Sequence, residues 1–284
     1  MKNVIITGAT GFVGFALTRE LIKQGFDVTV LCRKGSERRR RFDGLPVKII
    51  ECDLSNEEKF SLCGEFDTFY HLAWEGGRND FESQYKNISR TIFCLELAKK
   101  YGCERFICTG SQAEYGEVPA DVLITEDTPL NPVTAYGSAK VAAYYLVRDF
   151  AKRLGVDYSW VRIFSVYGQN DNPNSLLPQI LAAKKENRTF KMSTDGEHIW
   201  NYLHEDDAAR GLIAIGKCAE TNTIFNLAGS ENMPLRWFIS KVYDGVEYGT
   251  ERSFINLNVS IEKSVAAIGE YSHTTFIDDI LSEK

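Results

Sequence analysis

The stretch Thr7-Gly8-Ala9-Thr10-Gly11-Phe12-Val13-Gly14 decides how this chain is read. Residues 4–7 before it are a short β-branched run. After it, Val13, Ala16, Leu17 and Leu21 recur at helical spacing, which predicts a helix over 12–24. Three glycines thus stand where a strand passes into a helix. Without side chains there, the backbone can turn tightly and approach an anion, and the first helical N–H groups and the helix dipole face the same point. In that context the pattern is the pyrophosphate cradle of a dinucleotide-binding unit, with Gly8, Thr10, Gly11, Phe12, Val13 and Gly14 as its members. The plainer alternative is a closely packed turn that holds no ligand.

Working outward, the same alternation returns. Strands are expected at 27–32, 47–51, 68–73, 105–109 and 158–164, and helices at 81–100 and 135–154. Repeated strand–helix–strand units imply right-handed crossovers and hence an α/β fold, a Rossmann doubly wound parallel sheet. Past Gly168 the character changes to a polar, proline-containing loop at 170–175 and a helix at 176–185. A helix at 206–216 and a strand at 223–228 then revisit the first unit. The expected division is a dinucleotide-binding domain of 1–166 plus 203–228, and a smaller substrate lobe of 167–202 plus 229–284.

Composition narrows the class. The chain has 284 residues, 44% hydrophobic and 25% charged, enough for one large core and a smaller lobe. A net charge of -6 argues against nucleic acid or an anionic membrane as partner. Seven cysteines, odd in number and without a CxxC pair, indicate neither a disulfide framework nor a metal site. Met1 and Lys2 run straight into the first strand, which leaves no signal peptide, and no apolar run could span a bilayer. A cytoplasmic location is expected.

NAD enzymes usually carry a carboxylate at the end of the second strand to accept the adenosine 2′-OH. Here Cys32 is followed by Arg33 and Lys34. A guanidinium would grip a 2′-phosphate that a carboxylate would repel, so NADP(H) is favoured over NAD(H). Arg38 to Arg41 read as a solvated face rather than a second phosphate site. Asp53 can accept from the adenine amino group or cap the helix after it. His71, among apolar neighbours, reads as a buried, hydrogen-bonded strand residue.

Tyr136 and Lys140 are four residues apart, so on a helix they share one face. A free tyrosine titrates near ~10, and a neighbouring ammonium together with a nicotinamide's charge is expected to lower it. Ser111, ending the preceding strand, can donate to the reacting oxygen. The three together would exchange a proton at an alcohol or carbonyl while a nicotinamide exchanges hydride.

At these residues the chain resembles the extended short-chain dehydrogenase/reductase family of nucleotide-sugar epimerases, dehydratases and ketoreductases. The likeness lies in TGATGFVG (7–14), CDL (52–54), HLAW (71–74), Asn87 with Thr91, GSQAEYG (110–116), YGSAK (136–140), VRIFSVYG (161–168) and HEDDAARG (204–211). The resemblance implies Ser111, Tyr136 and Lys140 as catalytic residues and adds Leu54, Leu72, Ala73, Trp74, Phe164, Tyr136 and Lys140 to the cofactor contacts, Lys140 by holding the ribose hydroxyls. It points to Ser111, Gln112, Ser165 and Trp200 as substrate contacts, and to a homodimer built from the two helices that flank the active site. Dehydratases of the family have an Asp-Glu pair after the Ser or Thr position. Here Gln112 and Ala113 follow, and Glu114 is expected to point away, so elimination lacks its acid and base. Ser165 and Trp200 replace an Asn and an Arg that help hold the substrate diphosphate; Lys184, Lys185, Arg188 or Lys191 could compensate. Trp200 either stacks on the substrate or packs under the lobe. The expected function is an NAD(P)H-dependent reductase of a nucleotide-linked keto-sugar. The alternatives are an NAD-dependent nucleotide-sugar epimerase and a non-catalytic dinucleotide-binding regulatory protein.

Overall fold

A computed structural model describes residues 2–54, 61–253 and 255–276. In chain order the elements are β1 (Asn3–Thr7), α1 (Phe12–Lys23), β2 (Asp27–Cys32), β3 (Val47–Glu51), β4 (Thr68–His71), α2 (Phe81–Lys100), β5 (Arg105–Ser111), α3 (Ala135–Leu154) and β6 (Asp157–Ile163). They continue with β7 (Val166–Tyr167), α4 (Leu176–Lys185), β8 (Phe190–Lys191), β9 (Ile199–Asn201), β10 (Leu203–His204), α5 (Glu205–Lys217), β11 (Thr223–Leu227), β12 (Asn232–Pro234), α6 (Leu235–Val242), β13 (Val246–Glu247) and α7 (Glu262–Ile268). The sheet order is β11-β6-β5-β4-β1-β2-β3, parallel throughout. The order in which strands are added reverses between β1 and β4, and ligands of open α/β sheets bind beyond the strand ends at that switch point.

Side-chain alternation explains why both faces are covered. Val4 and Ile6 of β1, Ile107 of β5 and Val161 of β6 point to the layer of α1 and α5. Ile5, Phe106, Cys108 and Trp160 point to the layer of α2 and α3. The expected strands and helices stand within a few residues of the observed ends. β4 stops at His71 instead of reaching Ala73, because the chain bends there into the ligand crevice, whereas β5 runs on to Ser111.

Short strand pairs β7/β10, β8/β13 and β9/β12, with α4 and α6, surround a separate apolar cluster of Tyr167, Leu177, Ile180, Phe238, Ile239 and Phe276. One segment departs from the expected division. Helix α7 packs on α5 and β11, and the Tyr271 hydroxyl donates to the Ala228 carbonyl at 2.9 Å, so this part of the tail returns to the large sheet. Among the described residues no helix is long and apolar enough to cross a membrane.

Candidate active site

The glycine turn is built for close approach. Gly8 adopts φ +75, and a Cβ there would meet the Leu72 carbonyl carbon and the Ala73 nitrogen at 2.5 Å. Only glycine lets β1 run so close under the end of β4. Helix α1 starts at Gly11 with no side-chain cap, which leaves its first N–H groups for a ligand. In front of this turn lies a cleft of about 510 Å³. Gly8, Thr10, Gly11, Arg33, Lys34, Asp53, Leu54, Leu72, Ala73 and Trp74, all expected as cofactor contacts, line it. Phe12, Val13 and Gly14 form the first turn of α1 and supply those first N–H groups; they are not among the residues lining the cleft, and Gly14 is buried against Gly8. Phe164 is also not on the cleft; it is buried against Tyr115 at 6.2 Å. The helix that Asp53 might cap falls outside the described residues, and Asp53 itself faces the cleft.

His71 is buried between Thr7 Oγ1 at 2.8 Å and Thr91 Oγ1 at 3.0 Å. Burial, helped by the Lys140 charge, holds its pKa down at about 3, so the imidazole is neutral and structural.

The side chains expected to be catalytic are positioned by the start of α3 and the end of β5. Thr134 Oγ1 accepts the Gly137 N–H at 3.1 Å, fixing the first turn of α3 so that Tyr136 and Lys140 face the sheet. A Cβ on Gly137 would stand 2.4 Å from the Ala113 carbonyl oxygen, so glycine there lets α3 close on the turn after β5 that carries Ser111. The Ser111 side chain stands close enough to the Tyr136 hydroxyl to favour its ionised form. Ser111 Oγ donates to Gln112 Oε1 at 3.1 Å. Lys140 is buried; its ammonium donates to the Thr109 carbonyl at 2.6 Å and lies 3.6 Å from the centre of the Trp74 ring. Burial pulls its pKa down to about 8.

The electrostatics correct one expectation. The Tyr136 pKa is raised, first by burial; the Ser111 side chain lowers it, the Glu114 charge raises it and the Arg78 charge lowers it. Lys140 is turned toward Thr109 and Trp74, 5.8 Å from the Tyr136 ring centre, and so does not depress the phenol as the helical spacing suggested.

Glu75 and Gln84 were not singled out by sequence. Glu75, at the cleft rim, is ion-paired with Arg33 at 3.0 Å and with Arg90. Its backbone is pinned by Asn87 Nδ2, which donates to the Glu75 carbonyl at 2.8 Å. Gln84 holds the next residues, donating to the Gly77 carbonyl at 2.8 Å and accepting from Trp74 Nε1 at 2.7 Å. Gln84, like Asn87 of the family likeness, is a polar residue buried on α2, and its one signal in the sequence is an interruption of the apolar stripe. Arg38 faces the cleft, whereas Arg39 pairs with Glu51 and Arg41 approaches the Phe15 ring, so the arginine run is divided among tasks.

Glu114 points away from the reacting groups, as expected, into a buried pair with Arg162 Nε at 2.8 Å. Of the substrate residues, Ser111 and Gln112 are beside Tyr136, but Trp200 packs in the lobe against His198 and Tyr202, at 5.7 and 6.1 Å between rings. The Ser165 carbonyl is engaged by the Leu203 N–H at 2.9 Å. The proposed compensating cations stay elsewhere: Lys184 and Lys185 in the last turn of α4, Arg188 paired with Glu186, and Lys191 paired with Glu247.

A parallel sheet with a dinucleotide cleft at its switch point and a Ser-Tyr-Lys set at the mouth defines an oxidoreductase-type Rossmann enzyme. The family model described as "NAD dependent epimerase/dehydratase family" matches residues 4–228, and the chain belongs to that family, the extended short-chain type that its motifs resemble. It is 26% identical over 257 residues to UDP-glucose 4-epimerase of Corynebacterium glutamicum, covering 82% of this chain and 77% of that one. It is 27% identical over 208 residues to dTDP-6-deoxy-L-talose 4-dehydrogenase (NAD(+)) of Aggregatibacter actinomycetemcomitans, covering 72% and 76%. Some relatives are longer: the chain spans 37% of a trifunctional UDP-glucose 4,6-dehydratase/epimerase/reductase of Arabidopsis thaliana, at 25% identity and with 80% of this chain covered. The fold matches the crystal structure of UDP-glucuronic acid 4-epimerase from Bacillus cereus in complex with NAD, with a TM-score of 0.85, 21% identity and coverage of 98% and 94%.

Proposed function

We propose that this enzyme is an epimerase that oxidises and re-reduces one carbinol carbon of a nucleotide-linked sugar. The observation that carries the reading is the convergence of Ser111 and Tyr136 over Lys140 beside the dinucleotide cleft, with no acid–base pair next to Ser111. The nicotinamide dinucleotide, when bound, supplies hydride transfer. Tyr136 then takes the proton from the sugar hydroxyl as it becomes a carbonyl and returns it on reduction. Ser111 donates to the same oxygen, and Lys140, fixed on the Thr109 carbonyl, keeps a positive charge under the site. Because Glu114 is committed to Arg162 and Gln112 is an amide, removal of water lacks the acid–base pair that would follow Ser111 in a dehydratase.

The reductase expected from the sequence stands second. The name of the Aggregatibacter relative, a 4-dehydrogenase, favours it, whereas the epimerase relatives and the Bacillus cereus fold match favour the first reading. The two part experimentally. An epimerase interconverts UDP-glucose and UDP-galactose, or another epimer pair, by NMR with no added cofactor, releases a bound dinucleotide on denaturation, and loses turnover in Tyr136→Phe. Net stoichiometric consumption of reduced cofactor with a keto-sugar nucleotide, and no interconversion without it, would give the reductase instead.

Within the dinucleotides, the adenosine end supports NADP(H). Arg33, Lys34, Ser36 and Arg38 line it, and Cys32 stands where a carboxylate would repel phosphate. Arg33 is already paired with Glu75, but its side chain is 75% exposed. Such a surface pair is worth about 0–1 kcal/mol, less than a bidentate guanidinium–phosphate contact, so the phosphate wins it. In this reading the cofactor is held by 1–166 plus 203–228 and the sugar nucleotide under the lobe.

A further inference from the structure

Arg78 sits on the loop between β4 and α2, and that loop is a built turn. Gln84 Nε2 holds the Gly77 carbonyl, and Asp80 accepts the Ser83 N–H at 3.2 Å to cap α2. The Tyr136 N–H donates to the Arg78 carbonyl at 2.9 Å, so the loop is tied to the first turn of the catalytic helix. From there the guanidinium carbon lies 6.0 Å from the centre of the Tyr136 ring.

The other cations of the cleft that approach this mouth are engaged. Lys140 is held by the Thr109 carbonyl and the Trp74 face, and Arg33 and Arg90 share Glu75. Arg78 has no ion pair among the described residues, and its side chain is exposed toward solvent. A guanidinium anchored beside the proton-exchanging phenol with its donors free presents a planar fork that matches two anionic oxygens.

We propose that Arg78 is a substrate-binding residue that grips an anionic oxygen pair of the substrate, either a carboxylate on the sugar ring or the diphosphate that links sugar to nucleoside. The inference rests on the nucleotide-sugar reading of the site and names the substrate feature it selects. It also gives the chain a cation at the mouth, where Trp200 packs in the lobe and Lys184, Lys185, Arg188 and Lys191 stand elsewhere.

The test measures binding by calorimetry to dinucleotide-loaded wild type and Arg78→Gln, with UDP-glucose, UDP-glucuronate, D-glucuronate and inorganic pyrophosphate as probes. Unfolding temperature and dinucleotide affinity should be equal in the two proteins, because the side chain is exposed. A loss of about 10- to 100-fold for UDP-glucuronate with UDP-glucose unchanged assigns the carboxylate; an equal loss for both assigns the diphosphate. If the sugar nucleotides bind and Arg78→Gln weakens none by more than twofold, the proposal is overturned while the nucleotide-sugar reading stands. If wild type ignores both sugar nucleotides, the functional reading fails; Arg78 is then upheld by glucuronate or pyrophosphate binding that the variant loses, and overturned if neither binds.

Discussion

Glu114 and Arg162 meet at 2.8 Å with both side chains shut away from solvent, and the same carboxylate accepts the Ser111 N–H at 2.8 Å and the Trp160 indole N–H at 3.0 Å. One buried charge pair therefore fixes the backbone of Ser111, the serine proposed to act at the site. Removing one member of such a pair leaves the other uncompensated, which costs about 3–5 kcal/mol. Arg162→Met should be destabilised by that amount in urea unfolding. The same carboxylate raises the Tyr136 pKa. Glu114→Gln should therefore move the rise of kcat/KM with pH, in the alcohol-oxidising direction, to lower pH, and Arg162→Met should move it to higher pH. Shifts of the same sign in both variants would show that the pair acts through folding alone.

What could be read in advance, and what could not, follows from distance along the chain. The glycine turn and the Tyr136–Lys140 spacing are local, so periodicity alone put them on a strand end and a helix face. Glu75 with Arg33, and Glu114 with Arg162, are joined only by the crossovers of the sheet; 42 and 48 residues separate the partners. The direction of the Lys140 ammonium was equally illegible. Helical spacing brings it toward Tyr136, but the Thr109 carbonyl and the Trp74 ring, from β5 and the end of β4, decide where it rests.

His71 gives a pH prediction whose sign is set by burial. Its folded pKa, about 3, lies below the ordinary 6.5, so as pH falls below about 6.5 the unfolded chain takes up the proton first. Stability should be level above that point and fall with acid toward pH 3, by up to about 1.4 kcal/mol per unit for this group. Denaturant midpoints at several pH values measure the slope. Asp67, held below its ordinary pKa chiefly by the Lys2 and Asn3 N–H groups against the opposing pull of burial, adds loss in the same direction. The comparison with His71→Gln isolates the histidine: the variant is less stable at pH 7, since the pairing with Thr7 and Thr91 is disturbed, yet should show a flatter acid slope. An unchanged slope would mean that His71 titrates normally.

Cofactor choice turns on the rim of β2. Arg33→Ala should weaken NADPH binding to the dinucleotide-free protein by about tenfold or more and leave NADH binding within about twofold, because only the former offers a phosphate to the guanidinium. Cys32→Asp should act in the same sense by repelling that phosphate, and should favour NADH by offering a ribose acceptor. Equal changes for both cofactors in both variants would remove the preference for NADP(H).

The outer faces of α2 and α3 remain to be covered. Phe81, Tyr85, Tyr145 and Leu146 are 75, 63, 46 and 39% exposed, and Tyr85, Ile88, Ile92, Phe93 and Leu146 line a shallow groove between the two helices. Scattered exposed apolar residues are ordinary, but a contiguous set on paired helices is the kind of surface that a second copy buries. We propose a two-fold dimer through these helices, in which each patch meets its own copy, so one substitution acts twice in the interface. Light scattering should give twice the chain mass for the wild type, and Tyr85→Asp with Leu146→Asp should give a monomer that keeps dinucleotide binding, since neither side chain approaches the cleft. A wild type that is monomeric at micromolar concentration, or a double variant that stays dimeric, would place the interface elsewhere or abolish it.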